Sequence, residues 1–312
     1  MKMGYDISIF PMSDYYPQVL IFPYLDRKWR KRDPMLMKFY EALGNAIDQC
    51  DIFIHYNGSL IHPEFLQQFK KLKIYHCADD PDASKVLSKP VAQYYDICAI
   101  SNPACIDMYR NWGCKNTFFW PLGSFCFDEE FGAQTSPSAP IERDVPLIFI
   151  GSKMGVSKVR FIGRLLGLYK KSEFLKKIEK VFPELVAYGG GWARGWIPDD
   201  QIAGLYLRSR IGLNVHNSLG PVNGRLYDLA AFGVCQICDN KSKLNLVFNE
   251  GSEIIGYENV SECIEMIRHY LGHQDEARKI GEAGRRRFMR DYTKTSIWAS
   301  FFENVNRIVA NG

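Results

Sequence analysis

The sequence predicts an α/β protein of two Rossmann-like parallel-sheet domains that face a cleft. Three observations carry this. Short apolar runs of strand type alternate with helical stretches along most of the chain, the pattern of parallel sheets covered by helices. The alternation lapses between Asp128 and Val145, where the run Gly132 to Pro140 is polar and broken by Gly and Pro, and then restarts. The length of 312 residues suits two domains of roughly 150 residues, each able to bury a core. The expected division is an N-terminal domain over residues 1–130, a linker over 131–145 and a C-terminal domain over 146–312.

In the first domain Ile7 to Phe10 reads as a strand. Met35, Phe39, Leu43 and Ile47 recur every fourth residue and mark one helix face. Ile52 to His55 is a short apolar strand, and Asn57-Gly58 turns the chain. Pro63 suits a first helical position before Glu64 to Lys71. Lys73 to His76 and Asp96 to Ile100 are further strands, the second followed by Ser101 as a cap and a helix ending near Gly113. Thr117 to Trp120 closes this half. In the second domain, Leu147 to Ile150 is a buried-type strand ending at Gly151, and Ser157 to Tyr169 a helix. Leu185 to Tyr188 is a strand ending in three glycines, and Pro198 to Arg208 a helix. Ile211 to Val215 is a strand, Asn223 to Phe232 a helix, Val234 to Cys238 a strand. The tail from Ser261 is mostly helical.

Composition narrows the class. Hydrophobic residues at 46% and charged residues at 24% exclude a disordered chain, a coiled coil and a collagen-like repeat. A net charge of +4 permits an anionic ligand or a membrane surface and is too small and scattered for a dedicated nucleic-acid binder. No run approaches the ~18 apolar residues of a membrane span. Met1 to Phe10 carries Asp6 and no long apolar run, unlike a signal peptide. Nine cysteines, an odd count without paired spacing, read as the reduced thiols of a cytoplasmic protein. Cys235-x-x-Cys238 lies in a strand with no second pair spaced for zinc, so both are expected in the core.

Ligands of parallel sheets sit where loops leave the carboxyl ends of strands. The stretch His216 to Asp228 follows one strand and opens a helix. Asn223 is a good N-cap and Gly224 lets a ligand approach the backbone, so the free amides there suit phosphate. Arg225 opposes the helix dipole in the first turn, a poor local choice unless an anion is near. Asp228, one turn on, suits a ribose hydroxyl pair. The plain alternative is an ordinary capped helix. Gly151-Ser152-Lys153-Met154-Gly155 also follows a strand, and with Lys158 and Arg160 it offers amides and cations to a diphosphate. It lacks the spacing of a Walker loop. Tyr188-Gly189-Gly190-Gly191-Trp192 offers a glycine turn with aromatics able to pack a base.

The C-terminal half resembles the nucleotide-sugar-binding domain of GT-B glycosyltransferases, of the CgeB-like or "glycosyl transferases group 1" type. The carrying residues are the strand–turn–helix Ile211 to Phe232, the strand Gly233 to Asp239, and the tail Ile280 to Arg287 with Tyr292-Thr293. The resemblance implies a GT-B architecture with the final helices packing back toward the first domain. It implies a nucleotide-diphosphate sugar as donor, held by Gly151, Ser152, Lys153, Arg160, Tyr188, Gly189, Asn217, Asn223, Gly224, Arg225 and Asp228. The family usually has Glu where Asp228 stands. Retaining members often carry a second acidic residue eight positions earlier, where this chain has Gly220.

On the acceptor side, His76-Cys77-Ala78-Asp79-Asp80-Pro81-Asp82 places three carboxylates and a histidine at a strand end. Asp79 or Asp80 could deprotonate an acceptor hydroxyl and His76 orient it; the plain alternative is a turn cluster. Asp80-Pro81-Asp82 matches the D-x-D of another glycosyltransferase fold, but two-domain organisation argues against that fold, and no metal or other cofactor is expected. His55 ends another strand. The basic run Lys28 to Arg32 around Trp29 is a solvated cluster or a contact for an anionic acceptor or a membrane surface. The expected activity is transfer of a sugar to a hydroxyl-bearing acceptor. The competing readings are a nucleotide-sugar epimerase on the same fold and a non-catalytic binding protein. Replacing Arg225 or Asp228 by Ala is expected to weaken donor binding and leave unfolding nearly unchanged.

Overall fold

The computed structural model describes residues 4–16, 21–56, 60–82, 84–127, 142–153, 168–216 and 222–311. The chain forms two compact units: Met1–Pro121 together with Trp298–Gly312, and Leu122–Ile297. The segment expected as a linker lies largely outside the described residues. Among the described residues no helix is long and apolar enough to cross a membrane.

The first unit opens with helices α1 (Met12–Tyr15), α2 (Phe22–Arg30) and α3 (Pro34–Asp48). The stop and start between α2 and α3 are local. Asp33 Oδ1 accepts from the Leu36 amide at 3.0 Å, and Pro34 sits at the first helical position. The four-residue repeat seen in the sequence places Leu36, Phe39, Tyr40, Leu43 and Ile47 in the core. Strand β1 (Ile52–Tyr56), the single turn α4 (Pro63–Leu66), β2 (Leu72–Cys77), β3 (Ile97–Ile100), α5 (Ile106–Asn111) and β4 (Thr117–Phe119) follow. The strands form a parallel sheet in the order β1-β2-β3-β4.

Three local expectations change. Ile7 to Phe10 forms no strand and pairs with no described strand, and Ile7 and Ile9 are 63% and 87% exposed. Ser101 does not cap a helix; its hydroxyl donates to Cys77 O at 2.9 Å, and Asn102 caps the following 3-10 turn. The helix after Pro63 is one turn rather than two.

The second unit begins with β5 (Val145–Ile150) and continues through α6 (Leu168–Val181), β6 (Leu185–Tyr188), α7 (Asp199–Leu207), β7 (Ser209–Asn214), α8 (Gly224–Ala231), β8 (Cys235–Cys238), β9 (Ile255–Gly256), α9 (Val260–Gly272) and α10 (Gln274–Asp291). The expected helix Ser157 to Tyr169 falls mostly outside the described residues. All five strands are parallel, in the order β6-β5-β7-β8-β9. Their near-continuous apolar sequences are those of strands covered on both faces. Leu147, Phe149, Ile211, Leu213, Cys235 and Ile237 are fully buried. Close backbone approach fixes two glycines: a Cβ on Gly212 would lie 2.4 Å from Leu229, and one on Gly281 of α10 would lie 2.2 Å from the Gly233 carbonyl. The fold class is the α/β class with two parallel sheets that the sequence predicts, and all nine cysteines are unpaired.

Candidate functional site

Strand order locates the site. In the first unit the described strands run across the sheet in chain order, so there is no reversal. In the second, β5 leads out to β6 on one side and the chain returns to β7 on the other. Such a switch point leaves a crevice at the carboxyl ends of β5 and β7, where open α/β sheets take ligands.

Arg225 fills the base of this crevice. Its Nε donates to Ile150 O at 2.7 Å, the last residue of β5, and Nη1 donates to Asn214 Oδ1 at 3.0 Å, the last of β7. The guanidinium carbon lies 4.6 Å from the centroid of the Phe149 ring, within cation–π range. A Cβ on Gly151 would lie 2.2 Å from Arg225 Nη2, so only glycine leaves room for the arginine there. Arg225 is held by an amide that the sequence reading missed, Asn214, which Asn223 positions in turn. Asn214, fully buried, and Asn223 exchange side-chain hydrogen bonds, with Asn223 Nδ2 donating to Asn214 Oδ1 at 2.8 Å and Asn214 Nδ2 donating back at 3.2 Å. Asn214 Nδ2 also donates to Gln236 Oε1 at 2.8 Å. Asn223 caps α8 as expected, its Oδ1 accepting from the Leu226 amide at 2.9 Å. An amide directly after the apolar run Ile211 to Leu213 was the available signal for Asn214.

A histidine–carboxylate pair stands beside it at the ends of β7 and β8. His216 Nδ1 lies 2.5 Å from Asp239 Oδ1, and the His216 amide donates to Asp239 Oδ2 at 2.9 Å. A carboxylate only accepts, so Nδ1 carries the proton. His216 Nε2 is buried with no partner among the described residues. Cys238 brings its sulfur into the same cluster, and ligand-type atoms of the three residues lie within 4.8 Å of one another. Both Asp239 oxygens accept from His216, Oδ1 also accepts from Cys238 Sγ at 3.9 Å, and burial raises that thiol well above its usual range, so the three residues form one hydrogen-bonded cluster.

The other predicted donor residues are distributed differently. The glycine loops after β5 and β6 pack on each other. Lys153 N donates to Gly190 O at 2.9 Å, Ser152 Oγ donates to Gly190 O at 3.3 Å, and a Cβ on Gly189 would lie 2.5 Å from Gly151 O. Lys153 Nζ pairs with Glu179 of α6 and lies 4.4 Å from the Trp192 ring centroid. Tyr188 carries Arg194 5.8 Å from its ring, and Trp196, missed in the sequence, stands 77% exposed beside Gly190. Gly224 is covered: a Cβ there would lie 2.3 Å from the Phe125 ring. Asp228 Oδ1 accepts from Ser124 Oγ at 2.5 Å and from the Phe125 amide at 2.9 Å. Burial raises its carboxyl and these donors lower it, burial being the larger effect. Arg160, Lys158, Asn217 and Gly220 lie outside the described residues.

In the first unit the loop after β2 separates its acidic residues. Asp80 is buried and accepts the Tyr109 hydroxyl at 2.5 Å, with burial raising its carboxyl. Asp79 is exposed. His76 is buried, donates from Nδ1 to Ala99 O at 2.8 Å, and is brought down to about 4 by burial. Its ring packs against Tyr56 and Trp120 at centroid distances of 4.7 and 4.6 Å. The basic run on α2 is partly neutralised, since Lys28 pairs with Asp33 and Arg30 with Asp26, each at 2.9 Å. A separate depression of about 510 Å³ lies on α10, lined by Glu282, Arg285, Arg286, Met289 and Arg290. Arg285 packs beside Gly233, which precedes β8, so this depression borders the amino end of the strands.

The site coincides with a known type of domain. Residues 170–303 match a family described as "Glycosyl transferase-like", so the second unit carries a glycosyltransferase-like domain. No curated protein matches the sequence. Solved structures with the same two-sheet fold, that of GT-B glycosyltransferases, include a sucrose-phosphate synthase from Thermosynechococcus elongatus. It is 14% identical, covers 89% of this chain and 79% of its own, and has a TM-score of 0.58. Anabaena HepE in complex with UDP-glucose is 10% identical over 88% of this chain and 82% of its own, with a TM-score of 0.57. A glycosyltransferase from Rickettsia africae is 14% identical over 90% of this chain and 83% of its own, with a TM-score of 0.52. At these identities the likeness is one of fold.

Proposed function

We propose that the chain is a glycosyltransferase that moves a sugar from a nucleoside-diphosphate donor to a hydroxyl-bearing acceptor. The observation that carries this is Arg225, fixed by Ile150 O and Asn214 in the switch-point crevice of the glycosyltransferase-like domain. In the reaction the bond from the anomeric carbon to the diphosphate oxygen breaks, and a bond from the acceptor oxygen forms. The acceptor proton leaves to a base and negative charge collects on the diphosphate. A guanidinium already held in place stabilises that charge without reorganising, and no metal ion is needed for it. The first unit is assigned the acceptor. Of the three candidates there, Asp79 is assigned the base because it is the exposed one, Asp80 and His76 being buried. Similarity of the stretches Ile211–Asp239 and Ile280–Thr293 supports the CgeB-like type.

The test is nucleotide binding followed by turnover. UDP, GDP and ADP are screened by thermal shift, since a ligand that binds the folded state raises its apparent stability. One should bind, and its sugar conjugate should be consumed. Arg225→Gln should bind that nucleotide roughly tenfold or more weakly. A folded Arg225→Gln protein that binds like the parent removes the crevice from the donor site.

A further inference from the structure

One face of α10 is buried, through Ala277, Gly281, Gly284 and Phe288. Glu282, Arg285, Arg286, Met289 and Arg290 recur at spacings of three and four, so they share another face, and they line the depression of about 510 Å³. That volume falls in the range of small-molecule sites, roughly 300–1,000 Å³. The depression borders the amino end of the strands of the second unit, whereas Arg225 lies at their carboxyl ends.

The charges of this face are unbalanced. Arg287 and Arg290 share one carboxylate, Asp291, at 2.8 and 2.9 Å, and Glu253 also acts on Arg290. Arg285 and Arg286 form no ion pair among the described residues, although Glu282 lines the same depression. Arg285 is half-buried, and burial works against its charge. Arg143 stands beside it: a Cβ on Gly233 would meet Arg143 Nη2 at 3.3 Å and Arg285 Cδ at 3.7 Å. Arg143 donates to Ser209 O and Phe232 O, and the two guanidiniums repel each other. A guanidinium keeps its proton, so Arg285 holds a partly desolvated charge with a like charge beside it and no anion paired to it. A helix dipole favours cations in the last turn, which accounts for Arg290 and not for Arg285 or Arg286.

We propose that this depression binds an organic phosphate, with Arg285 and Arg286 holding the phosphate group, Arg290 at the rim and Met289 against the carbon part. Guanidinium forks match phosphate oxygens two at a time. A phosphomonoester carries a charge of about −1.5 to −2 at pH 7, which balances a lining of three arginines less one glutamate. Met289, 41% exposed, gives the carbon part a soft apolar surface. The site is independent of the donor crevice. A soluble phosphomonoester and an anionic lipid headgroup offer it the same chemistry.

The experiment titrates phenyl phosphate into the full chain at low salt by isothermal calorimetry. In a second arm the protein is sedimented with vesicles of phosphatidylcholine, alone or mixed with phosphatidic acid. The parent and Arg225→Gln should bind phenyl phosphate alike. The double variant Arg285→Gln, Arg286→Gln should bind it about ten- to a hundredfold more weakly and keep the parent's behaviour toward UDP, GDP and ADP. Arg286→Glu, at an exposed position, gives the same reading if the double variant does not fold. Sedimentation of the parent only with the acidic vesicles, lost in the variants, identifies a lipid headgroup as the source. Binding of phenyl phosphate without sedimentation identifies a soluble one. A parent that binds neither probe, or variants that bind both as the parent does, overturns the proposal. Loss of phenyl phosphate binding in Arg225→Gln places the anion in the crevice and overturns it equally.

Discussion

The side chain of Arg225 spans two strand ends and that of Asp228 closes onto Ser124 and Phe125, so neither is a passive ligand contact. Removing Asp228 leaves a hydroxyl and an amide without their acceptor in a half-buried position. Asp228→Ala should therefore lower stability by about 1–3 kcal/mol, read as a shift in the urea midpoint, and Asp228→Asn by less. This replaces the expectation that unfolding would be untouched. An unchanged midpoint for Asp228→Ala would show that the contact with residues 124–125 contributes nothing. The candidates themselves were readable because a cation in the first turn of a helix, Arg225, is locally unfavourable. Asp239 gave no such signal, since its partner His216 lies 23 residues away in sequence.

Among the elements, the alternation of apolar strands and helices was legible almost throughout, because 3.6-residue and two-residue periods are local properties. Ile7 to Phe10 shows the limit. Its composition is that of a strand, yet a strand needs a partner, and no described strand pairs with it. The seat of α10 on the sheet is equally non-local. Gly281 meets the Gly233 carbonyl so closely that a methyl group cannot fit without displacing the helix. Gly281→Ala gains up to about 1 kcal/mol of helix propensity, but overpacking should outweigh it, for a net loss of about 1–3 kcal/mol. Gly272→Ala, in the last turn of α9 with nothing within 4 Å of its Cβ, is the control and should cost no stability. Equal melting temperatures for the two variants would show that α10 can shift freely.

At the scale of the molecule, two buried histidines set the response to acid. Burial lowers His76 to about 4 and His55 to about 3, from 6.5. Both are neutral in the fold and charge readily when unfolded. Below pH 6.5 the unfolded chain binds more protons, so stability falls as pH drops from 6.5 toward 4. Each histidine contributes a loss of about 2 kcal/mol between pH 7 and 5. Urea unfolding at the two pH values measures it. His76→Asn, destabilised or not at pH 7, should show a smaller difference between them. An undiminished difference assigns the acid sensitivity elsewhere.

From the sequence alone came the class of fold, the order of most elements, the cap at Asn223 and the arginine that follows it. Each depends on neighbours within a few residues, where periodicity, glycine and proline speak directly. Only the tertiary structure decided which strand ends meet. The order β6-β5-β7-β8-β9 puts a reversal between β5 and β7, and that reversal gathers Gly151, Asn214 and Phe149 around Arg225. The same packing turned Lys153 toward Glu179 and Asp228 toward Ser124. A charge in the sequence has a type and a spacing, but its partner is chosen by whichever backbone and side chain the sheet brings beside it.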